Sequence, residues 1–326
     1  AVKVDDGAVQ YVENDTKGTF TIPSGKHTIY VAAVNKDNEI DPYYQVQVEV
    51  YELVFDTTGG EDLDTYYYVK GDDIGTLPTP VKPGYSFLGW YDAEEGQAGG
   101  ANAFANKTFD FEKNVTIYAS WNGNPYQANL DYAVYGTGSV NSVATKFGDP
   151  FKLPVPTSTS NLKAFVGWYS ELNATGERYT DENGDSIKNW RDYSAVTLYA
   201  GWVDVFTFNL INDGAAYSVS KGPGIGYITD VTIPTVYLDK PVTTIEASAF
   251  ASCSNIVTVN IPNTIVNVET GAMGPNGTGS CFQTCSKLEA VNIYEVEGAV
   301  AEDIKYFSID GVLIYKNEFN GYEIAY

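Results

Sequence analysis

Apolar and polar residues alternate along much of this chain with a period of two, in short runs broken by Gly, Pro, Asn and Asp. GTFTIPSGKHTIYVAAV and YYQVQVEV are two such runs, separated by the turn-rich NKDNEIDP, a pattern that predicts a β-hairpin within residues 1–50. VTIYASW, VTLYAGW and VTVNIP repeat the alternation further on. Successive side chains of a strand point to opposite faces, so each run offers one apolar face to a core and one polar face to water. The 26 Tyr, with abundant Val, Thr and Ile, favour pleated strands over helices, and few helices are expected.

The alternating runs are themselves repeated. GYSFLGWYDAEEG followed by VTIYASW is echoed by LKAFVGWYSELNATG followed by VTLYAGW. Gly71 and Asp72 correspond to Gly148 and Asp149, Leu77 and Pro78 to Leu153 and Pro154, Trp90 to Trp168, Phe109 to Trp190, and Trp121 to Trp202. A self-similar unit is one structural module, and residues recurring at matched positions are explained first by each module's need for its own core. The order of a strand, a GD turn, a Leu-Pro segment, GWY and a closing TLYAxW strand resembles the Listeria and Bacteroides repeat, the internalin B type, over residues 51–203. That resemblance implies two tandem β-grasp-like modules, at 51–122 and 123–203, of the kind found in bacterial surface proteins. The second copy departs from the first in reading LKAF for PGYSF.

The N-terminal hairpin, with its PSG turn, resembles part of an immunoglobulin-like or fibronectin-like sandwich, which in full needs about 100 residues. The last third has another period. AFASCSNIVTVNIP returns as CFQTCSKLEAVNIY after a Gly-rich insertion, and the surroundings of Ile245 return at Val268. With FSIDGVLIYK after them, these turns resemble leucine-rich repeats of the BspA type over residues 204–326, a stretch that reads as truncated because a solenoid turn cannot bury its apolar edge alone. The expected fold is mainly β throughout: a partial sandwich at 1–50, two β-grasp-like modules, then a solenoid segment.

A hydrophobic fraction of 44% fits a chain that buries real cores and argues against disorder. Lys and Arg number 19 against 42 Asp and Glu, a net charge of −23 that repels phosphate backbones and anionic membranes, so neither nucleic acid nor membrane is an expected partner. No apolar run approaches the ~20 residues that span a bilayer. The chain opens at Ala1 without a basic and then apolar leader, and reads as a monomeric piece of a longer protein. Cys253, Cys281 and Cys285 are too few for a disulfide framework; the match of Cys253 with Cys285 makes them buried residues on successive turns, with a disulfide between them left open.

His27 is the only histidine, which rules out sites needing two imidazoles, and its place in a hairpin strand does not suggest a triad. Asp181, Asn183, Asp185 and Asp192 stand at the first, third, fifth and twelfth positions of an EF-hand-like calcium loop. Against calcium, Ser186 replaces the glycine at the sixth position and the twelfth ligand is Asp. No other cofactor is expected. GPGIGYI only loosely mimics a nucleotide-binding glycine run. In VTVNIP, Val257, Val259 and Ile261 should point inward and Thr258 and Asn260 outward, with Asn292 equivalent on the next turn, giving a candidate binding face. Tyr66, Tyr67, Tyr132 and Tyr135 fall outside the repeat match and are further contact candidates.

These readings describe a non-enzymatic, extracellular segment, secreted or attached to the cell wall. Its spacer modules would present a solenoid surface to a host or neighbouring-cell protein or glycan, as the resemblance implies. The alternative is a carbohydrate-binding accessory region of an extracellular carbohydrate-active enzyme.

Overall fold

The structure, a computed structural model of the whole chain, describes residues 1–12, 21–96, 99–269, 282 and 284–296, and the backbone of strands at 306–309, 312–316 and 322–324. It divides into two compact units, Ala1–Asn124 and Pro125–Tyr326. Met273, Cys281 and the GPNGTGS insertion lie outside the described residues. Among the described residues the only helical segments are 3-10 turns, and no helix is long and apolar enough to cross a membrane.

The first unit is built on one mixed sheet of β1 (Val2–Val4), β2 (Gly25–Val31), β3 (Tyr44–Asp56), β4 (Tyr66–Val69), β5 (Tyr85–Tyr91) and β6 (Val115–Gly123). Its strands run in the order β1-β2-β3-β6-β5, with β4 also against β3. The expected hairpin is present, Val31 pairing with Tyr44 and Gly25 with Val50. The boundary expected between residues 50 and 51 falls inside β3, whose first half pairs with β2 and whose second half pairs with β4 and, in parallel, β6. Alternation runs from Tyr44 to Val50, changes phase at the adjacent buried pair Val50 and Tyr51, and resumes to Phe55, and backbone pairing runs on through that shift. His27 Nδ1 lies 2.7 Å from Asp5 Oδ2 in this sheet. The hydrogen bond to Asp5 raises the imidazole pKa, and the Thr28 N–H together with His27 lowers that of Asp5, so the pair is structural.

The repeat is plain in the strand order. In the first module it is β4-β3-β6-β5, with the central pair β3 and β6 parallel and both flanking pairs antiparallel. The second module comprises β7 (Pro125–Asp131), β8 (Gly136–Thr137), β9 (Ser142–Lys146), β10 (Thr157–Ser158), β11 (Lys163–Glu171), β12 (Thr175–Arg178) and β13 (Val196–Asp204). Its main sheet runs β9-β7-β13-β11 in the same sense, with β12 added at the edge and β8 pairing with β10 outside it.

Matched residues make matched contacts. Trp90 and Trp168 are buried, and each indole N–H donates over 2.9 Å to a carbonyl on the crossover, that of Pro78 or Pro154. Phe109 and Trp190 are fully buried, and each exchanges backbone bonds with its GD turn: Phe109 with Gly71 and Asp72, Trp190 with Gly148 and Asp149. Gly71 and Gly148 hold φ of 94° and 83°, which a side chain rarely adopts, so glycine recurs there. Buried indoles need such N–H partners, and placing the acceptor on the crossover pins that segment over the sheet where a β-grasp helix would lie.

After the second module, β13 is followed by a single residue, buried Val205, before β14 (Phe206–Ile211). β14 pairs antiparallel with β15 (Ala216–Lys221). Two parallel ladders then stack. One joins β15 to β18 (Lys240–Ile245) and β20 (Asn267–Val268), with β17 (Val236–Tyr237) hairpinned onto β18. The other joins β16 (Asp230–Thr232), β19 (Thr258–Pro262) and β21 (Ala290–Tyr294). Strands β22 (Tyr306–Ile309), β23 (Val312–Lys316) and β24 (Tyr322–Ile324) form an antiparallel meander at the end.

Ile245 pairs with Val268, and Asn260 with Asn292, in the register read from the repeat. Inside the solenoid, Phe250 stacks on Phe282 with centroids 5.7 Å apart and planes at 9°, and Val231, Val259 and Val291 are fully buried in successive turns. Val257, expected inward, is half-buried.

The second module and the solenoid share one hydrophobic core. Ala164 of β11 is buried with Val205, Phe206, Ile225 and Val259, and Leu162 and Val203 pack on the same cluster. Val205 donates its N–H to Leu162, Gly222 donates to Val205, and Gly224 donates to Asp204, at 2.9, 2.8 and 2.7 Å. A Cβ on Gly222 or Gly224 would sit 2.5 or 2.9 Å from the Asp204 carbonyl oxygen. The GPGIG run is therefore a backbone-to-backbone clasp, and its glycines serve close approach.

Candidate functional site

The structure places Asp181, Asn183 and Asp185 in one turn and holds Asp192 in a separate contact. Asp181 Oδ1 accepts the N–H groups of Asn183 and Asp185, both at 2.9 Å, and Asn183 Nδ2 lies 3.4 Å from Oδ2. Burial opposes charge on Asp181, but these donors outweigh it and hold the carboxyl below its ordinary range. Asp185 pairs with Lys152 at 2.6 Å, and Asp192 accepts the Tyr179 hydroxyl at 2.9 Å. Burial first, then that carboxylate, pushes the Tyr179 pKa up. Among the described residues no three His, Cys, Asp or Glu converge as a metal site would require. These groups build a turn and fasten it to its neighbours.

The predicted solenoid row is brought together. Thr258, Asn260 and Asn292 lie on the β16-β19-β21 ladder, half-buried, with Thr258 beside Asp230 and Ala290 and with Asn260 beside Thr232 and Asn292. Asn292 Nδ2 lies 3.3 Å from Asn260 Oδ1, and Asn260 Nδ2 lies 3.2 Å from Thr232 Oγ1. Each amide thus donates to the rung before it, an Asn ladder of the kind stacked strands favour. This fixes the orientation of the lateral surface, and Thr258 stands next to it on the same face of the sheet.

Cys253 and Cys285 are buried free thiols, matched as expected on neighbouring turns. Cys285 Sγ lies 3.0 Å from the Phe250 carbonyl, and burial raises both pKa values, which keeps the thiols protonated and inert.

The unmatched tyrosines divide. Tyr66, Tyr67 and Tyr135 are exposed, whereas Tyr132 packs edge-on against Trp168 at 5.4 Å and donates to the Val140 carbonyl, because the residue after a strand end is drawn under its own hairpin.

The repeat family and relatives agree with this geometry. The Listeria-Bacteroides repeat domain matches residues 51–120. Two proteins of Evansella cellulosilytica named as membrane proteins are similar. One is 26% identical over 199 residues, 59% of this chain and 27% of the relative; the other, named as Gly-rich, is 27% identical over 180 residues, 53% and 19% of the two. Internalin H of Listeria monocytogenes is 32% identical over 126 residues, 38% of this chain and 21% of the relative. The chain thus spans about a fifth to a quarter of the length of these relatives. Among solved structures, a leucine-rich repeat protein of T. pallidum, at 24% identity, covers 28% of this chain and 36% of that chain with a TM-score of 0.22, too low to argue from.

The chain therefore carries a match to the Listeria-Bacteroides repeat domain at residues 51–120, a second module with the same strand order, and then stacked turns joined by parallel ladders, in a mainly β architecture. The family and the relatives point to a segment of a surface protein.

Proposed function

We propose that this segment is non-catalytic and holds a solenoid surface outside the cell, where it adheres to a protein or glycan of a host or neighbouring cell. The first repeat module acts as a spacer and the second as the cap of the solenoid's first turn. The observation that carries the reading is the stacked β16-β19-β21 ladder, whose Asn260 and Asn292 amides are locked in line and whose Thr258 lies beside them. A regular lateral face ordered before contact loses little side-chain freedom on binding, which is how repeat proteins gain affinity.

The test is binding of the whole chain to arrays of cell-surface proteins and of glycans. Binding to at least one class, weakened at least about tenfold when Thr258→Arg and Asn292→Arg are introduced, is expected. Binding untouched by both substitutions would place the contact elsewhere and defeat the proposal.

A further inference from the structure

The two repeat modules share a core but differ at one end, and the difference opens a cavity. At the end of β3, Asp56 Oδ1 accepts the N–H of Thr58 at 2.8 Å; at the end of β7, Asp131 Oδ1 accepts the N–H of Ala133 at 2.9 Å. The Trp121 indole donates to the Thr57 carbonyl at 2.9 Å, and the Trp202 indole to the matching Tyr132 carbonyl at 3.1 Å. The two sites thus superpose residue by residue up to this turn. In the first module the Thr58 hydroxyl donates to the Ala119 carbonyl at 2.7 Å and lies 2.9 Å from the Trp121 indole nitrogen. The Lys82 ammonium covers the same indole, 5.7 Å from its centroid, and donates to the Thr58 carbonyl. That place is filled.

In the second module Ala133 stands where Thr58 does, and Val134 and Tyr135 take the place of the single Gly59, so the turn is one residue longer before Gly136, the counterpart of Gly60. A cavity of about 400 Å³ results, with Ala133, Ala200 and Trp202 among the residues lining it and Tyr135, Asp131 and Asn173 at its edge. Its size lies within the roughly 300–1,000 Å³ range of small-molecule sites.

The backbone at this turn position is the same in both modules, with φ of 54° at Ala133 and 48° at Thr58, and Asn173 and Ala174, at 62° and 55°, belong to the turn of the β11-β12 hairpin, so the difference between the modules at that position lies in the side chain. The edge is also chemically mixed. Asp131 keeps a carboxylate oxygen outside its turn, and the Asn173 side chain has no hydrogen bond among the described residues. Lys163 is already neutralised by Asp204 at 2.8 Å and lies over the Tyr135 ring, 4.8 Å from its centroid.

We propose that this cavity binds one ring of a neutral saccharide. An aromatic wall accommodates the apolar face of a pyranose, while a carboxylate and a primary amide accept from and donate to its hydroxyls. With Lys163 matched and Asp131 unmatched, an anionic sugar is disfavoured. The second module is then a glycan contact as well as a cap, at a place separate from the Thr258, Asn260 and Asn292 row, so neither proposal depends on the other.

The test is indole ¹H–¹⁵N NMR on the whole chain titrated separately with cellotriose, maltotriose and chitotriose. At least one trisaccharide should shift the Trp202 indole resonance, with a Kd on the order of 1 mM for a single ring in an open site. Ala133→Thr, which copies the first module's residue at a φ that Thr58 already adopts at 48°, should weaken binding at least about tenfold without lowering the melting temperature. Tyr135→Ala, at an exposed position, should weaken it as well. Failure of all three sugars to move Trp202, or equal binding by both variants, would overturn the proposal.

Discussion

Replacing Trp168 by alanine should destabilise the unit Pro125–Tyr326 by about 3–5 kcal/mol, read as a fall in the urea midpoint. Trp168 is fully buried, donates to the Pro154 carbonyl, and packs edge-to-face on both Tyr132 and Phe165. Truncation removes one of the three indoles of that core and leaves a cavity that the neighbouring strands can close only in part. It also frees the Pro154 carbonyl that held the crossover in place. A loss below about 1 kcal/mol would mean that the indole fills no core. Trp90, at the matched position of the first unit, should behave alike, and its loss should leave the midpoint of the second unit unchanged.

Val205→Asp should be more damaging still, by at least about 4 kcal/mol, because it buries a carboxylate that has no cation beside it. Val205 is 1% exposed and is the single residue between the last strand of the second module and the first strand of the solenoid. Its cluster contains Ala164 of the module together with Ile225 and Phe250 of the solenoid, so the damage should reach both. In denaturant, Trp fluorescence from the module and circular dichroism from the whole unit should move together to lower urea. Two separated transitions, with only the solenoid shifted, would show that the shared core does not couple them. Val205→Ala provides the control, at about 2 kcal/mol, since it removes methyl groups without adding charge.

What was legible in the sequence is what repetition encodes. Trp90 with Trp168, Phe109 with Trp190, and Gly71 with Gly148 are matched by the recurring motifs around them, and each pair has corresponding partners in the fold. The Asn260 and Asn292 register was read in the same way. The rest depends on what one copy does next to something unlike itself. β3 runs through the start of its repeat because no Gly or Pro stops the strand near Tyr51; the pattern only changes phase there, at the adjacent buried pair Val50 and Tyr51. The GPGIG run looked like a weak nucleotide motif. Its role becomes visible only when the Asp204 carbonyl is seen against Gly222 and Gly224. The calcium spacing was real in one dimension, but Lys152 and Tyr179, both distant in sequence from their partners, take Asp185 and Asp192 into separate contacts. The change from Thr58 to Ala133 was in plain view, but an insertion beside it hides the match until the Asp56 and Asp131 turns are superposed.

The central claim is that the indoles recurring at matched positions in the two modules fill the separate interiors of those modules. Hydrogen exchange at the indole N–H groups tests it most directly, because Trp90, Trp168 and Trp190 each donate to a backbone carbonyl inside a core. The account predicts that these three exchange only on unfolding of their units, with protection tracking the denaturant stability of each. Exchange of Trp90 and Trp168 at the rate of a free indole would contradict it, since both rings would then face solvent.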